Sequence, residues 1–407
     1  MSEKSNAVDV VVVGGGMAGA TLCCALAQTS LKVILIESGH MPKWNVDQYD
    51  LRISAINLAS ENIFRSLNIW TNIRERRISE FHDIETWDEN SNSRIVFRAA
   101  EAGLRHLGHI IENNSITQAL HKKLAQQKVQ LHYGVSIDGF HYENGNIIIS
   151  ADDGHKFQAR LLVGADGALS RVRELAGIDV DQHSYHQRSI VAHVTTESSN
   201  RQTAYQRFLS TGPLAFLPLS EKRSSIVWST DEQLAENLIQ LSSHEFQKQL
   251  ETAFQNRLGN ITSSSHRACF SISHRHAKTY VNHRLALIGD AAHTAHPLAG
   301  LGANQGLADA ATLAEIIISS IKQERDFGKQ GALRRYERWR RGENQLILNV
   351  LDGLHYVFQN SHPTIARLRY LGLNLTNRIT PLKTFLIERA VGLKGDLPKM
   401  AKSSFPS

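Results

Sequence analysis

Three apolar runs along the chain each end in small residues and are each followed by a helical pattern. They occupy residues 8–13, 161–163 and 285–288. A continuous run of β-branched and aliphatic residues predicts a strand buried on both faces, which is the pattern of a parallel sheet. Because the carboxyl ends of parallel strands meet at one edge of the sheet, we expect the three following turns to converge on one ligand.

The remaining periodicity predicts an α/β fold with inserted strands. Helical patterns occupy 17–28, 60–70, 112–127, 244–257 and a long stretch from 331, and Asn114 or Ser115 is the expected N-cap of the third. Short strands are predicted at 32–36, 85–87, 94–97, 128–133, 146–150, 189–194 and 206–209, and a hairpin pairs 214–219 with 225–229. This order predicts a nucleotide-binding domain in three parts (1–80, 111–180, 276–330), a second β-sheet domain inserted at 81–110 and 181–275, and a C-terminal helical region at 331–407.

The first turn carries the GxGxxG spacing of a dinucleotide site. Gly14 permits a tight turn, Gly16 lets a pyrophosphate approach the backbone, and Gly19 lets the following helix pack closely on the strand. That helix points its N-terminal amides at the phosphates. Glu37 ends the second strand, where a carboxylate can accept from ribose hydroxyls. Close packing alone also explains glycines at a strand end, but strand, helix and acid together favour the dinucleotide site.

The second and third turns carry further polar residues at strand ends. Asp166 and Gly167 stand in the string GADGxxSxxR, which is more specific than an ordinary Asp-Gly turn. Gly289 and Asp290 end the third run, and an acid there is a candidate acceptor for a ribityl hydroxyl. The glycine-rich run 297–306 before a helix offers backbone amides to a polar edge of the cofactor.

Arg52 precedes the second helical pattern, in the string DLRISAIN. A surface arginine before a helix is ordinarily solvated. If this loop folds over the first turn, however, the guanidinium can pair with a phosphate. The sequence alone supports these two interpretations equally.

Composition narrows the class of protein. The chain has 407 residues, of which 42% are hydrophobic and 21% charged, as in globular enzymes. The formal charge of +6 suits an anionic cofactor or membrane surface; it is dispersed and accompanies no nucleic-acid module, so nucleic acid ranks lowest. The polar N-terminus is not a signal peptide, which predicts a cytoplasmic protein. Cys23, Cys24 and Cys269 contain no CxxC pair, which argues against a metal site and a flavin disulfide reductase.

The strings GGGMAG, DLRISAIN, GADGALSRVR and GDAAHTAHPLAG together resemble the single-component flavin monooxygenases of the p-hydroxybenzoate hydroxylase type. The resemblance covers nearly the whole chain. More narrowly, LGHIIEN, FLPLS and LRRYERWRRGEN resemble the ubiquinone-biosynthesis hydroxylases, and most closely their 2-polyprenylphenol hydroxylase branch. The branch acting on demethoxyubiquinol-type intermediates shares most of these strings.

This resemblance implies a Rossmann-like FAD-binding domain of the GR2 type, an inserted β-sheet substrate domain and a C-terminal helical segment. It places Glu37 at the adenosine half of FAD, Arg52 beside the cofactor and Asp290 on the ribityl chain. The implied cofactor residues are Gly14, Gly16, Gly19, Glu37, Arg52, Asp166, Gly167, Gly289, Asp290, Pro297, Gly300, Gly302 and Asn304. One departure is Leu301, where the family loop commonly has glutamine.

The implied reaction is hydroxylation of a polyprenylated phenol or quinol ring through a flavin C4a-hydroperoxide, with O2 as co-substrate. A single dinucleotide motif predicts that NAD(P)H docks transiently as electron donor. The cofactor carries the difficult step, so no catalytic triad is expected. His293, His296 and His109 are candidates to assist the phenol, although with 20 histidines in the chain a structural role is the stronger interpretation for each. No metal is predicted.

The C-terminal region after Pro363 is apolar at helical spacing and carries Arg367, Arg369, Arg378 and Lys383. Packing against the flavin domain explains the first tail helix, whereas the last segment is predicted to contact the inner face of the membrane. Membership of a ubiquinone-biosynthesis complex is a further expectation. Two alternatives remain from the sequence, a flavin-dependent reductase of isoprenoid double bonds and a non-catalytic subunit of the complex.

Overall fold

The computed structural model describes residues 6–89, 93–294, 300–360 and 362–402. Its strands are β1 (Asn6–Val13), β2 (Val33–Glu37), β3 (Ile53–Asn57), β4 (Ile78–Phe81), β5 (Asp83–Asp88), β6 (Arg94–Arg98), β7 (Gly108–Glu112), β8 (Val129–Tyr133), β9 (Ile137–Glu143), β10 (Asn146–Ala151), β11 (Lys156–Gly164), β12 (Val180–Thr196), β13 (Thr203–Leu209), β14 (Gly212–Pro218), β15 (Arg223–Asp231), β16 (Ile261–Ser264), β17 (Ala268–Ala277), β18 (Val281–Asn282), β19 (Leu285–Leu287) and β20 (His293–Thr294). Its α-helices are α1 (Met17–Leu26), α2 (Leu58–Ser66), α3 (Trp70–Arg74), α4 (Asn113–Ala125), α5 (Arg171–Leu175), α6 (Glu232–Gln240), α7 (Ser243–Ala253), α8 (Leu301–Lys322), α9 (Gln330–Gln359), α10 (Pro363–Arg378) and α11 (Thr380–Ala390).

The three apolar runs lie in one sheet, ordered β18-β19-β11-β1-β2-β8. β1 pairs in parallel with β11 and with β2, and β11 pairs in parallel with β19. Val13 lies opposite Gly164, which in turn lies opposite Leu287, so the three strands end side by side. The α/β fold class predicted from the runs is therefore confirmed.

Helices cover this sheet with apolar faces. α1 is buried along most of its length between α4 and α8, and Cys23 and Cys24 are completely buried within it. Burial raises the pKa of the Cys24 thiol to about 12, so it stays protonated at neutral pH. Both cysteines therefore pack in the core of the flavin domain.

A second sheet follows the order β20-β17-β12-β15-β14-β13-β5-β6, with β16 paired to β12. The predicted hairpin is β14 and β15, which pair antiparallel. A third, three-stranded sheet places β7 between β3 and β4. An apolar cluster joins these two sheets and includes Phe81, Ile110, Leu219 and, from the C-terminal region, Ile387 and Val391. The last helix is thus part of the packed structure.

Several predicted element bounds were wrong. The helix expected at 60–70 is divided into α2 and α3, because Asn68 adopts a left-handed conformation (φ 55°). α4 begins at Asn113, and its N-cap is Glu112, whose side chain makes no cap hydrogen bond. α6 was not predicted; Asp231 caps its first turn by accepting from the Leu234 amide. Among the described residues, no helix is both long and apolar enough to cross a bilayer.

Candidate cofactor site

The glycine turn after β1 is fixed by contacts that a side chain cannot tolerate. Gly14 has a φ of +105°, and a Cβ there would lie 2.3 Å from the carbonyl oxygen of Ala165. A Cβ on Gly19 would lie 2.0 Å from the carbonyl oxygen of Gly14, so α1 packs directly on the turn. Gly16 differs, because a Cβ there meets no atom within 4 Å. The first and third glycines serve the fold, and the second leaves the backbone open to a ligand.

Glu37 is held against this turn at the end of β2. Its Oε2 accepts from the Gly15 amide at 2.6 Å, and its Oε1 accepts from the Gly39 amide at 2.7 Å. Each carboxylate oxygen keeps a further acceptor site, so a ribose hydroxyl can still donate to it. The carboxylate is therefore fixed beside the glycine turn, and its contact with the adenosine ribose stays a prediction.

Asp166 follows β11 and contacts the first turn of α5, whose N-cap is Ser170. Its Oδ1 accepts from the Ser170 hydroxyl at 2.5 Å, and its Oδ2 accepts from the Val172 amide at 3.1 Å. Gly167 has a φ of +83°, the left-handed region that this turn requires. Arg173 then donates to the carbonyl oxygens of Ala168 and Ala291 and so joins the second turn to the third. These contacts explain the polar residues of the string through the fold itself, and cofactor contact by Asp166 stays a prediction.

Arg52 stands on a loop that Glu112 anchors. The buried Glu112 carboxylate accepts from the Trp44 indole at 3.0 Å, from the Asp50 amide at 2.8 Å and from Arg77. The Arg52 carbonyl accepts from the Asn113 amide at 2.9 Å. The Arg52 side chain is exposed, and its charge acts on Asp290. The loop therefore brings Arg52 near the turn after β19, and contact of its guanidinium with a phosphate stays a prediction.

Asp290 lies at the end of β19 in the turn Gly289–Ala291. Its side chain is accessible to solvent although protein atoms surround it closely, and this surrounding raises its pKa, while the charges of His293 and Arg52 partly oppose the shift. A hydroxyl donor or a cation would relieve that desolvation. The geometry suits an acceptor for a polyol chain.

A buried ionic network holds this turn from behind. Asp309, on α8, accepts from the Gly289 amide at 3.0 Å and lies 2.5 Å from His293 Nε2. Arg340 Nε donates to the same carboxylate at 2.7 Å, and Asn344 Nδ2 at 3.2 Å. Burial alone would raise the pKa of Asp309, but the charges of His293 and Arg340 outweigh it and hold the pKa at about 2. His293 therefore lies in the core, and a role in phenol chemistry for it remains a prediction without support from its position.

The start of α8 is tied to the Arg52 loop through Asn304. Its Oδ1 accepts from the Asn57 amide at 3.1 Å and from the Ser60 hydroxyl at 2.7 Å, and its Nδ2 donates to the carbonyls of Ala55 and Gly300. A Cβ on Gly302 would meet no atom within 4 Å. His296 and Pro297 lie outside the described residues. Asn304 thus positions the glycine-rich run, and Gly302 leaves its backbone accessible.

These strand ends fit FAD. The open backbone at Gly16, the carboxylate of Glu37 and the solvent-accessible Asp290 beside Arg52 supply the features that pyrophosphate, ribose and ribityl groups need. They lie along one sheet edge because β1, β2 and β19 end together.

Comparison with known proteins decides the family. A family model described as an FAD binding domain matches residues 7–349. The chain is 36% identical over 391 residues to the ubiquinone hydroxylase UbiL of Rhodospirillum rubrum, covering 96% of this chain and 91% of the relative. It is 34% identical over 387 residues to the 3-demethoxyubiquinol 3-hydroxylase of Escherichia coli, covering 95% and 98%. The chain belongs to the ubiquinone-biosynthesis hydroxylase family of FAD-dependent monooxygenases.

Solved structures agree on the fold of this hydroxylase. PqsL, a probable FAD-dependent monooxygenase from Pseudomonas aeruginosa, superimposes with a TM-score of 0.77 at 21% identity, covering 91% of this chain and 100% of that one. The p-nitrophenol 4-monooxygenase PnpA from Pseudomonas putida gives the same TM-score at 17% identity, covering 95% and 98%. The family membership confirms FAD as the cofactor, with NAD(P)H and O2 as the other reactants.

Sequence reasoning missed the residues that support the hydroxylase site from a distance. His121 lies under the glycine turn, with Nε2 2.6 Å from the Gly15 carbonyl oxygen and Nδ1 2.6 Å from the Tyr133 hydroxyl. Glu112 and Asp309 anchor the other two turns. All three come from elements far from their partners in sequence, so no local spacing marks them. Glu112 lies in the string LGHIIEN, and Arg340, which binds Asp309, lies in the string LRRYERWRRGEN. The family resemblance of these two strings was the sequence signal that could have drawn attention to these residues.

His109, the third histidine candidate, lies in the three-stranded sheet and not at a strand end of the first sheet. It is buried on β7 against Trp70 of α3, with ring centroids 4.9 Å apart. Burial lowers its pKa to about 4. Its imidazole is therefore neutral at physiological pH, in a cluster with Glu61, His106 and Glu80.

Proposed function

We propose that this hydroxylase adds oxygen to the aromatic ring of a polyprenylated phenol or quinol in ubiquinone biosynthesis. The observation that carries the proposal is the likeness along nearly the whole chain to relatives named for ubiquinone hydroxylation, UbiL and 3-demethoxyubiquinol 3-hydroxylase. The intact strand-end site supports a catalytic rather than a purely structural subunit. An isoprenoid reductase would share the fold but would not consume O2 with hydroxylation of a phenol.

In this proposal FAD, when bound, supplies the redox chemistry, and the chain supplies position and exclusion of water. Gly16 and Glu37 hold the adenosine half, Arg52 faces a phosphate, and Asp290 accepts from the ribityl chain. The apolar cluster between the second and third sheets offers a dry wall, because Phe81, Ile110 and Leu219 are all buried there. No described histidine is assigned a proton-transfer step.

For the ring position, the strings LGHIIEN and LRRYERWRRGEN support the 2-polyprenylphenol branch. The alternative is the position named in the Escherichia coli relative, a 3-demethoxyubiquinol 3-hydroxylase. Profiling of quinone intermediates in cells that lack this protein tests both. Accumulated polyprenylphenol supports the first position, and accumulated demethoxyubiquinol supports the second. Unchanged ubiquinone with no accumulated intermediate would reject the pathway.

We also propose that the C-terminal helices rest on the membrane that holds the substrate. The motivation is a set of large apolar side chains that the packed structure leaves exposed: Leu346, Val350, Leu354, Tyr356, Tyr370, Leu371, Leu375, Leu382, Phe385 and Leu386. A polyprenyl chain partitions into lipid, and an apolar helix face can enter the interfacial region. Assembly with other biosynthetic proteins stays a prediction.

The basic residues first assigned to this contact require a correction. Arg369 lies 5% exposed and is paired with Asp88, and Lys383 lies 4% exposed and is paired with Glu101. Neither can face anionic lipid, because each neutralises a carboxylate within the protein. Arg367 is exposed. The proposal therefore depends on apolar contact more than on charge.

A further inference from the structure

A cluster of carboxylates and imidazoles lies away from the strand ends, between α2 and the three-stranded sheet. It comprises Glu61 on α2, Glu80 on β4, His109 on β7 and His106 just before β7. Glu61 and His109 are 4% and 1% exposed. All four residues line a cavity of about 960 Å³ that opens to solvent. The cofactor site uses none of them.

The distances within the cluster match those between ligands of one metal ion. Glu61 Oε2 lies 3.1 Å from His106 Nε2 and 3.3 Å from His109 Nδ1. In a tetrahedral site with bonds of about 2.0–2.1 Å, neighbouring ligand atoms stand roughly 3.3 Å apart. The two imidazole rings are nearly perpendicular, at 67° with centroids 4.5 Å apart, so their lone pairs can converge on one point.

The His109 ring carries an independent sign of a missing partner. Its Nδ1 is fully buried and has no hydrogen-bond partner among the described residues. Glu61 Oε2 lies 3.3 Å away, but the contact does not have the angles of a hydrogen bond. An unpaired buried ring nitrogen is costly unless water or an ion satisfies it. The opposite nitrogen, Nε2, lies 3.6 Å from Glu80 Oε1. An imidazole that faces a carboxylate with one nitrogen commonly binds metal with the other.

We propose that Glu61, His106 and His109 bind one divalent transition-metal ion of the zinc type, with Glu80 orienting His109. Imidazole nitrogen and carboxylate oxygen are suitable ligands for this class of ion. Arg65 does not compete for the binding atom, since both of its contacts go to Glu61 Oε1. Glu61 Oε2 instead shares a hydrogen bond with His106 Nε2, which the ion would replace by binding both atoms. The fourth position faces the cavity, where Arg74 and Arg105 favour an anionic ligand such as hydroxide.

Such an ion would join α2 to β7. Ser60, the neighbour of Glu61, donates to Asn304 at the start of α8, so the ion would also brace the element that holds the glycine-rich run. The role is structural support for the flavin domain. It concerns a different set of residues from the proposed hydroxylation.

A second cluster, His183, His274 and Asp352, provides the comparison. Its atoms also lie close enough for a metal ion. However, its two rings are stacked at 19° with centroids 4.4 Å apart, so their in-plane lone pairs run side by side and converge poorly. Asp352 also accepts from the Tyr185 hydroxyl. We therefore expect the ion at the first cluster.

The test is calorimetric titration of the tag-free holoprotein with Zn²⁺ after treatment with EDTA and dialysis. We expect one saturable site in the unmodified protein and in His274→Gln. His106→Gln and His109→Gln should weaken it by more than 100-fold, and Glu80→Gln by about 10- to 100-fold. His106 is partly exposed, so its variant should remain folded even if the His109 variant does not. Circular dichroism and flavin content check folding.

Two results would overturn the proposal. One is a titration without a saturable site, which means that ordered water alone satisfies His109. The other is a site that survives in His106→Gln but disappears in His274→Gln, which would place the ion at the second cluster.

Discussion

The glycine turn after β1 and the helices α10 and α11 differ in how far the sequence predicts their contacts. At the turn, single backbone contacts decide each residue, as with the Cβ of Gly19 that would lie 2.0 Å from Gly14. In α10, Arg367 and Arg369 are two residues apart, yet one is exposed and the other is buried beside Asp88. The residue type and its spacing therefore predict the contacts of a residue at the turn. On the helix, the same information does not predict whether a side chain is buried or exposed.

The difference arises from whether a local sequence pattern marks both partners of a contact. Gly14 meets Ala165, which is distant in sequence, but each of the two residues follows an apolar strand whose pattern is visible in the sequence. The partner of Arg369 lies on β5, about 280 positions earlier, and the partner of Lys383 lies at Glu101. No periodicity along α10 or α11 records such partners. Long basic side chains are consequently the least predictable part of this chain.

The largest expected effect is at the turn. Gly16→Val should abolish FAD binding, because the branched side chain occupies the space where the pyrophosphate approaches the backbone. No protein atom lies within 4 Å of that Cβ, so the fold should persist. Absorbance of the purified protein at the flavin bands measures occupancy, and circular dichroism measures folding.

Gly139→Val on β9 is the matched control for this variant. A Cβ there also meets no atom within 4 Å, and β9 lies off the main path of the first sheet. It should retain full flavin. Full occupancy in the Gly16 variant would show that the turn does not bind the cofactor.

The second effect separates the two arginines of α10. Arg369→Ala should lower the free energy of unfolding by about 3–5 kcal/mol, because it leaves the buried Asp88 without its partner. It also removes donors to the carbonyls of Val357 and Phe358 at the end of α9. Arg367→Ala should change it by less than about 0.5 kcal/mol. Urea unfolding of both variants measures this difference. Equal free energies of unfolding for the two variants would show that Arg369 does not form a stabilising ion pair with Asp88.

Sequence reasoning succeeded where the pattern is local. The three runs identified β1, β11 and β19, and the string GADGxxSxxR marked a turn in which Asp166 and Arg173 both make contacts with the neighbouring backbone. It failed where tertiary packing decides. On α9, Leu351 packs with Phe208, whereas its neighbour Val350 is 53% exposed. Helical spacing alone does not show where a 30-residue helix leaves the core.

The third effect concerns acid stability. The pKa of Asp309 is about 2 in the folded protein, below its unfolded value near 4. Ionised Asp309 therefore contributes its full stabilisation to the fold above pH 4. As the pH falls toward 2, this contribution to the free energy of unfolding is lost, by on the order of 2 kcal/mol in total. Asp309→Asn should be less stable at pH 6 but should lose less stability between pH 4.5 and 3. Urea unfolding across that range tests this, and parallel pH profiles for the two proteins would contradict it.

The smallest effect is expected at the exposed apolar face, because its residues contribute little to folding. The doubly substituted variant Leu371→Gln and Leu375→Gln should remain folded yet bind liposomes about thirtyfold more weakly, since each substitution removes about 1 kcal/mol of apolar contact with lipid. Both side chains are nearly 60% exposed, at 59% and 58%. Val46→Gln, which changes a 65% exposed side chain far from α10 in sequence, is the control and should bind as the unmodified protein does.

Flotation with neutral and with anionic vesicles should differ only modestly and depend weakly on salt, because Arg369 and Lys383 are already paired inside the protein. Equal flotation of the unmodified protein and the double variant would show that the exposed leucines do not contact lipid. Strong binding to anionic vesicles alone, abolished by salt, would show that exposed basic side chains such as Arg367, and not the leucines, provide the main attraction to the membrane.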